Sequence, residues 1–103
     1  MYRVILVTAK NKQKARGIAK ALIKNKLAAC VNIVSSVESL FWWKGKIDSV
    51  SESLLIIKSK KVKVPAIIKM VKLMHSYSVP EIISLPVTSG FKPYLKWINE
   101  SIR

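Results

Sequence analysis

An α+β fold is what this sequence predicts, with helices laid on an antiparallel sheet and elements in the order β-α-β-β-α-β before a terminal helix. Three observations lead there. Two segments repeat apolar residues at the helical spacing i, i+3, i+4, i+7. Between them stand two long runs rich in β-branched and aromatic residues, joined by Lys44-Gly45-Lys46, which reads as a hairpin. The chain has 103 residues, which fits one domain, 1–103. A domain of this size buries roughly two-thirds of the surface its unfolded chain exposes, enough for a core without covalent staples.

The elements follow in order. Residues 2–8 (YRVILVT) are a β-rich opening strand. Asn11 offers an N-cap to a helix over 12–26, whose apolar face is Ala15, Ile18, Ala19 and Leu22. Residues 29–43 (ACVNIVSSVESLFWW) form a strand and 47–59 return as its partner. A second helix spans 62–74, with Pro65 in its first turn and Val64, Ile67, Ile68 and Val71 on one face. A short strand covers 81–87. Pro93 opens a last helix, along which Phe91, Leu95, Ile98 and Ile102 line up. The pattern is the ferredoxin-like split βαβ, with the helices expected on one face of the sheet.

The central hairpin is too long for its domain. Strands of ~13 residues against a usual ~5–6 would reach ~44 Å, whereas a chain of this length has a diameter of roughly 35 Å. The hairpin must overshoot or bend, and Ser35-Ser36 is the natural place for a bulge. Its apolar edges call for cover, and strand pairing between copies in a closed symmetric assembly supplies it.

Composition narrows the setting. Hydrophobic residues make up 50% of the chain, and the mean hydropathy is +0.25, an excess that points to a membrane or an interface. No apolar run approaches the ~20 residues of a membrane span. Val4 to Val7 is too short for a secretory core of ~7–15 residues. The expectation is therefore a cytoplasmic protein with no membrane partner. The single cysteine, Cys30, has nothing in the chain to pair with. Against 19 Lys+Arg stand 5 Asp+Glu, a net +14, so the surface attracts polyanions at low salt.

Five segments carry a resemblance: Lys26-Leu27-Ala28-Ala29-Cys30, Trp43-Lys44-Gly45-Lys46, Glu52 ahead of Leu54-Leu55-Ile56-Ile57-Lys58, His75-Ser76-Tyr77-Ser78-Val79-Pro80-Glu81 with Leu85-Pro86-Val87, and Tyr94-Leu95-Lys96-Trp97-Ile98. In this order and spacing the chain resembles the CutA family of divalent-cation tolerance proteins over essentially its whole length. The resemblance implies a ferredoxin-like homotrimer similar in build to PII signalling proteins, and a link to tolerance of copper and other divalent cations in the cytoplasm. Three positions depart from the pattern. Val7 stands where some relatives have a copper-linked cysteine, Met74 where some have a second histidine, and Ser76 where proline is common.

The candidate metal ligands are then His75 and Cys30, since imidazole and thiolate suit copper. One of each cannot fill a four-coordinate site within a subunit, though a trimer triples the supply. The plainer alternatives are a small buried hydrophobe for Cys30 and an exposed polar loop residue for His75. The expected ligand is copper or another divalent cation, with no organic cofactor. Glu52, Tyr77, Glu81 and Trp43 are candidates for a polar cleft between subunits. A carboxylate inside an apolar strand needs a partner, and Lys44, Lys46 or a neighbouring subunit are the sources weighed for Glu52, with an ion pair or cap as the alternative role. Phe41, Trp42 and Trp43 could stack on bases or pack into the next subunit. Lys12, Arg16, Lys20 and Lys24 recur at i+4, where like charges cost roughly 0.2–0.5 kcal/mol per pair. An anionic partner would relieve that cost, which makes this row a candidate polyanion ridge beside the alternative of a solvated face. No G-x-G-x-x-G, Walker loop or H-E-x-x-H occurs, and no enzyme is expected.

Overall fold

The sheet of the computed structural model, which describes residues 1–103, has four antiparallel strands. They are β1 (Tyr2–Ala9), β2 (Cys30–Trp43), β3 (Lys46–Lys60) and β4 (Ile82–Pro86), in the spatial order β2-β3-β1-β4. The helices are α1 (Lys12–Lys24), α2 (Val64–Met74) and α3 (Lys92–Ser101). This is the split βαβ arrangement that the element order predicted.

Strand alternation builds the core. Ile5, Val7 and Ala9 of β1 and Leu55 and Ile57 of β3 point to one face. Over them lie Ala15, Ile18, Ala19 and Leu22 of α1 and Ile67 and Val71 of α2, all buried in one cluster. Two serines of that face are satisfied by backbone carbonyls: Ser53 Oγ donates to Ser35 O at 2.8 Å and Ser59 Oγ to Leu27 O at 2.6 Å.

Four local expectations change. First, α3 lies on the opposite face from α1 and α2. Lys60 alternates with Ser59, and its Nζ donates to Asn99 Oδ1 of α3 at 3.0 Å. Second, Phe91 leaves the apolar row and stands exposed as the residue before α3, while Ile98 and Ile102 are buried. Third, α1 stops at Lys24 and not Lys26. Asn11 caps its start by accepting from Lys14 N at 2.8 Å. At its end Lys26 takes φ 58, with Lys26 N bonding to Ile23 O and Leu27 N to Leu22 O. That reversal satisfies two carbonyls of the last turn. Fourth, α2 is preceded by a 3-10 turn, Lys61–Lys63.

The hairpin both bends and overshoots. Its register shifts between Val34 and Val37, at Ser35-Ser36. Lys44 (φ 51) and Gly45 (φ 76) make a two-residue turn, and Lys46 already pairs with Trp43. Two successive positive φ values give the twist that matches the flanking strands. The molecule extends 44 × 26 × 23 Å, with the hairpin tip far from the core. Opposite α1 and α2, Leu6, Leu54 and Ile56 are half-buried, and Val34, Ile83 and Leu85 are exposed. This apolar sheet face is covered only at its α3 end.

Candidate functional site

His75 closes α2 in an extended conformation, its backbone N bonded to Val71 O at 2.8 Å. Its ring is used on both sides. Nδ1 accepts the Tyr77 backbone N–H at 3.0 Å. A nitrogen that accepts carries no proton, so the proton sits on Nε2, which donates to Thr8 O at 2.6 Å. The ring also lies against Tyr77, centroids 4.7 Å apart. His75 therefore ties the loop after α2 to the end of β1 and is not the exposed polar loop residue that its sequence context allowed.

Tyr77, held this way, reaches Glu52. Its hydroxyl donates to Glu52 Oε2 at 2.8 Å, and Glu52 is only 8% exposed. The partner of the buried carboxylate is thus a phenol of the same chain, not Lys44 or Lys46. Burial, and then the hydrogen bond and charge of Glu52, push the Tyr77 phenol up to about 12 from 10.0. A raised pKa means that the bond stabilises fully below pH 10 and is lost as pH climbs from 10 towards 12. Over that interval the wild type should lose more stability than Tyr77→Phe, as read from denaturant midpoints at each pH.

A cleft of about 430 Å³ opens beside this pair, lined by Phe41, Trp43, Tyr77, Ser78 and Val79. Lys44 Nζ stands 5.9 Å from the Trp43 ring centroid. Tyr77 therefore links two of the expected residues: it bonds to Glu52 and lines the cleft with Trp43, while Glu52 itself is not among the lining residues. Glu81 is exposed and does not line the cleft.

Cys30 lies elsewhere. It is half-buried and pairs with Lys58, whose Nζ is 4.0 Å from the sulfur. Tyr94 of α3 adjoins it, its phenol raised first by burial and then by Cys30. Thr8, the anchor of His75, pairs with Leu54. Cys30 and Thr8 are thus four residues apart along the strands and two strands apart, roughly 14 Å by roughly 10 Å. His75 and Cys30 do not meet within a chain, because the strand register sets Cys30 far from the end of β1 that holds His75. No group of three or more His, Cys, Asp or Glu converges anywhere in the chain, and with both ring nitrogens of His75 engaged a single subunit does not fit a closed metal site.

Lys12, Arg16, Lys20 and Lys24 are all exposed along α1. No acid stands on α1 or α2: the five are Glu38, Asp48, Glu52, Glu81 and Glu100. The only ion pair joins Arg103 to Glu100, at 3.6 Å. Sequence reasoning missed the Thr8 carbonyl as a partner of His75. A backbone acceptor 67 residues away leaves no residue-type signal.

The family model described as CutA1 divalent ion tolerance protein matches residues 3–101. A chloroplastic protein CutA 1 of Oryza sativa is 45% identical over 100 residues, 97% of this chain and 56% of that protein. The divalent-cation tolerance protein CutA of Thermus thermophilus is 42% identical over 98% of each chain. The chain spans about half the length of the plant relatives it matches. Among solved structures, a periplasmic divalent cation tolerance protein CutA from Archaeoglobus fulgidus superposes with a TM-score of 0.97, at 42% identity and full coverage of both chains. CutA1 from Oryza sativa superposes at 0.96, with 44% identity over 99% of this chain and 94% of that one.

Proposed function

The chain belongs to the CutA1 divalent ion tolerance family, and from that membership we propose that it acts as a homotrimer in the cellular response to divalent cations, copper among them, binding a metal ion or small ligand between subunits. The observation that carries this reading is the apolar sheet face around Leu6, Ile56 and Ile83, left open, together with the Glu52–Tyr77 pair and the cleft that Tyr77 lines with Trp43. Surface of this kind is the mark of an interaction site, and closure by copies of the chain would bring several clefts together. A single subunit lacks the donor set for a metal, so a cation has to draw ligands from more than one chain. On this reading the protein is a binding protein and not an enzyme. The distance between Cys30 and His75 supports that, since a thiol nucleophile needs its base within hydrogen-bond reach. A cytoplasmic setting completes the proposal: the free Cys30 suits a reducing compartment, and no helix is long and apolar enough to cross a membrane.

The test is a calorimetric copper titration of the wild type and Glu52→Gln, with oligomer mass measured in the same buffer. The expected result is saturable binding, one copper per subunit or per trimer, weakened at least about tenfold in Glu52→Gln, which removes a charged ligand oxygen. Copper uptake no greater than that of an unrelated protein of similar charge would make the metal link indirect.

One observation favours a second reading, a polyanion-binding module. The α1–α2 layer carries lysines and arginine with no acid among them. Binding of a short nucleic acid should then fall steeply with salt and vanish when Lys12, Arg16 and Lys20 are changed to Glu, with copper binding untouched. Unchanged binding would reduce the ridge to a solvated face.

A further inference from the structure

Where α2 begins, beside the edge strand β4, lies a cavity of about 280 Å³ lined by Arg3, Lys61, Val64, Pro65 and Ser84. Arg3 pairs with Pro86 and Ile5 with Ser84, so Arg3 and Ser84 are two positions apart on one sheet face, the face on which α2 packs. Arg3 Nε and Ser84 Oγ are both buried, and neither has a hydrogen-bond partner. These are the only two such side-chain atoms in the chain, and both line this one cavity. Buried donors without partners are uncommon in folded proteins, and a bound ion or water is a usual reason for them.

The chain supplies no acid to answer them. Glu52 is taken by Tyr77 and Glu100 by Arg103. The first turn of α2 has no acidic residue and no side-chain cap. The cavity is thus walled by a guanidinium, an ammonium, a hydroxyl and the positive end of a helix. Each of these favours a small anion. The flat fork of arginine and the hydroxyl donor are matched to an oxyanion with several acceptor oxygens.

We propose that this cavity binds a small phosphate-class oxyanion, with Arg3 donating through Nε, Ser84 through its hydroxyl, and Lys61 supplying charge from the rim. The site lies apart from the Glu52–Tyr77 cleft and does not depend on how that cleft is used. The free ion and the terminal group of a small phosphomonoester share this chemistry.

Inorganic phosphate and glycerol phosphate are titrated separately into the full chain at constant ionic strength, by calorimetry and by thermal unfolding. The expected result is saturable binding of one anion per chain. Tighter binding of glycerol phosphate would assign the site to phosphomonoesters, and equal or weaker binding to the free ion. Arg3→Lys keeps the charge and loses the Nε donor, so at least a tenfold weakening is expected, with a smaller loss in Lys61→Gln. Lys92→Gln removes the same charge from α3, on the opposite face of the sheet, and should bind within about twofold of wild type, which separates this cavity from diffuse attraction to a +14 chain. Ser84→Ala serves where Arg3→Lys fails to fold. Without phosphate it should melt no lower than wild type, because an unpaired hydroxyl is removed, and with phosphate it should gain less. Absence of saturation in the millimolar range, equal weakening in Lys92→Gln, or a lower melting point for Ser84→Ala without phosphate would each overturn the proposal.

Discussion

If the proposed trimer closes over the open sheet face, a lysine placed at Ile56 or Ile83 should leave the protein monomeric, at a mass of 11.6 kDa, against an expected three times that value for the wild type by light scattering. Both residues lie on the sheet face that α1 and α2 do not cover, Ile56 half-buried in the middle strands and Ile83 48% exposed on the edge strand. In a lone chain a lysine at Ile83 keeps its ammonium in water. In an assembly closed over this face the ammonium is trapped in an apolar seam with no acid opposite, at an effective cost of several kcal/mol per ion. Symmetry repeats that cost in every subunit. Three such charges exceed what holds most small oligomers together at micromolar concentration. Ile56→Lys tests the centre of the face and Ile83→Lys its rim, where the folded chain tolerates the change. Two variants that keep the wild-type mass would move the interface off this face. The protruding hairpin, with Trp42 74% exposed and Ile47 and Leu40 nearly as open, would then be the surface to examine.

The second large effect is expected at His75. His75→Ala strips the donor from Thr8 O and the acceptor from the Tyr77 N–H. A backbone group left unsatisfied costs about 1–3 kcal/mol, so a loss of about 2–4 kcal/mol in denaturant unfolding is expected. Against a typical total of about 5–15 kcal/mol, that is a severe loss for a residue at the surface end of a helix. Two milder variants divide it. The shorter side chain of His75→Asn can still accept from Tyr77 N–H, and the longer one of His75→Gln can still donate to Thr8 O. Each should recover about half. The loop should also loosen in His75→Ala, so that Glu52 loses its Tyr77 partner and the 430 Å³ cleft loses its shape. A His75→Ala protein as stable as the wild type would mean that neither bond is made in solution, and would return both ring nitrogens to the list of metal ligands.

The site was half legible in the sequence. Glu52 stood out as a carboxylate in an apolar strand, and the need for a partner followed from its burial. The partner did not: Lys44 and Lys46 are near in sequence and opposite in charge, yet they sit at the turn, the far end of the hairpin, whereas Tyr77 is carried to Glu52 by the His75 clamp. Cys30 and His75 have the right chemistry for copper, but chemistry does not fix distance. Their separation follows from which strands are neighbours and in what register. Arg3 and Ser84 gave no sequence signal, because a buried unpaired donor is defined by what surrounds it.

By itself the sequence determined what depends on short-range pattern. Apolar spacing, the Asn11 cap, Pro65 and the β-branched runs set the identity and order of the elements, and length alone required the hairpin to bend or overshoot. The basic character of α1 was equally plain, since lysines at i+4 share a face of any helix. Tertiary structure decided what depends on contacts across the chain. It put α3 on the opposite face from α1 and α2, bound His75 to a backbone carbonyl, left one apolar sheet face open, and brought Arg3 to Ser84. The reason is that local conformation is governed by neighbours within a few residues. A site is made where backbone and side chains far apart in sequence meet, and only the completed packing says which groups are left without partners.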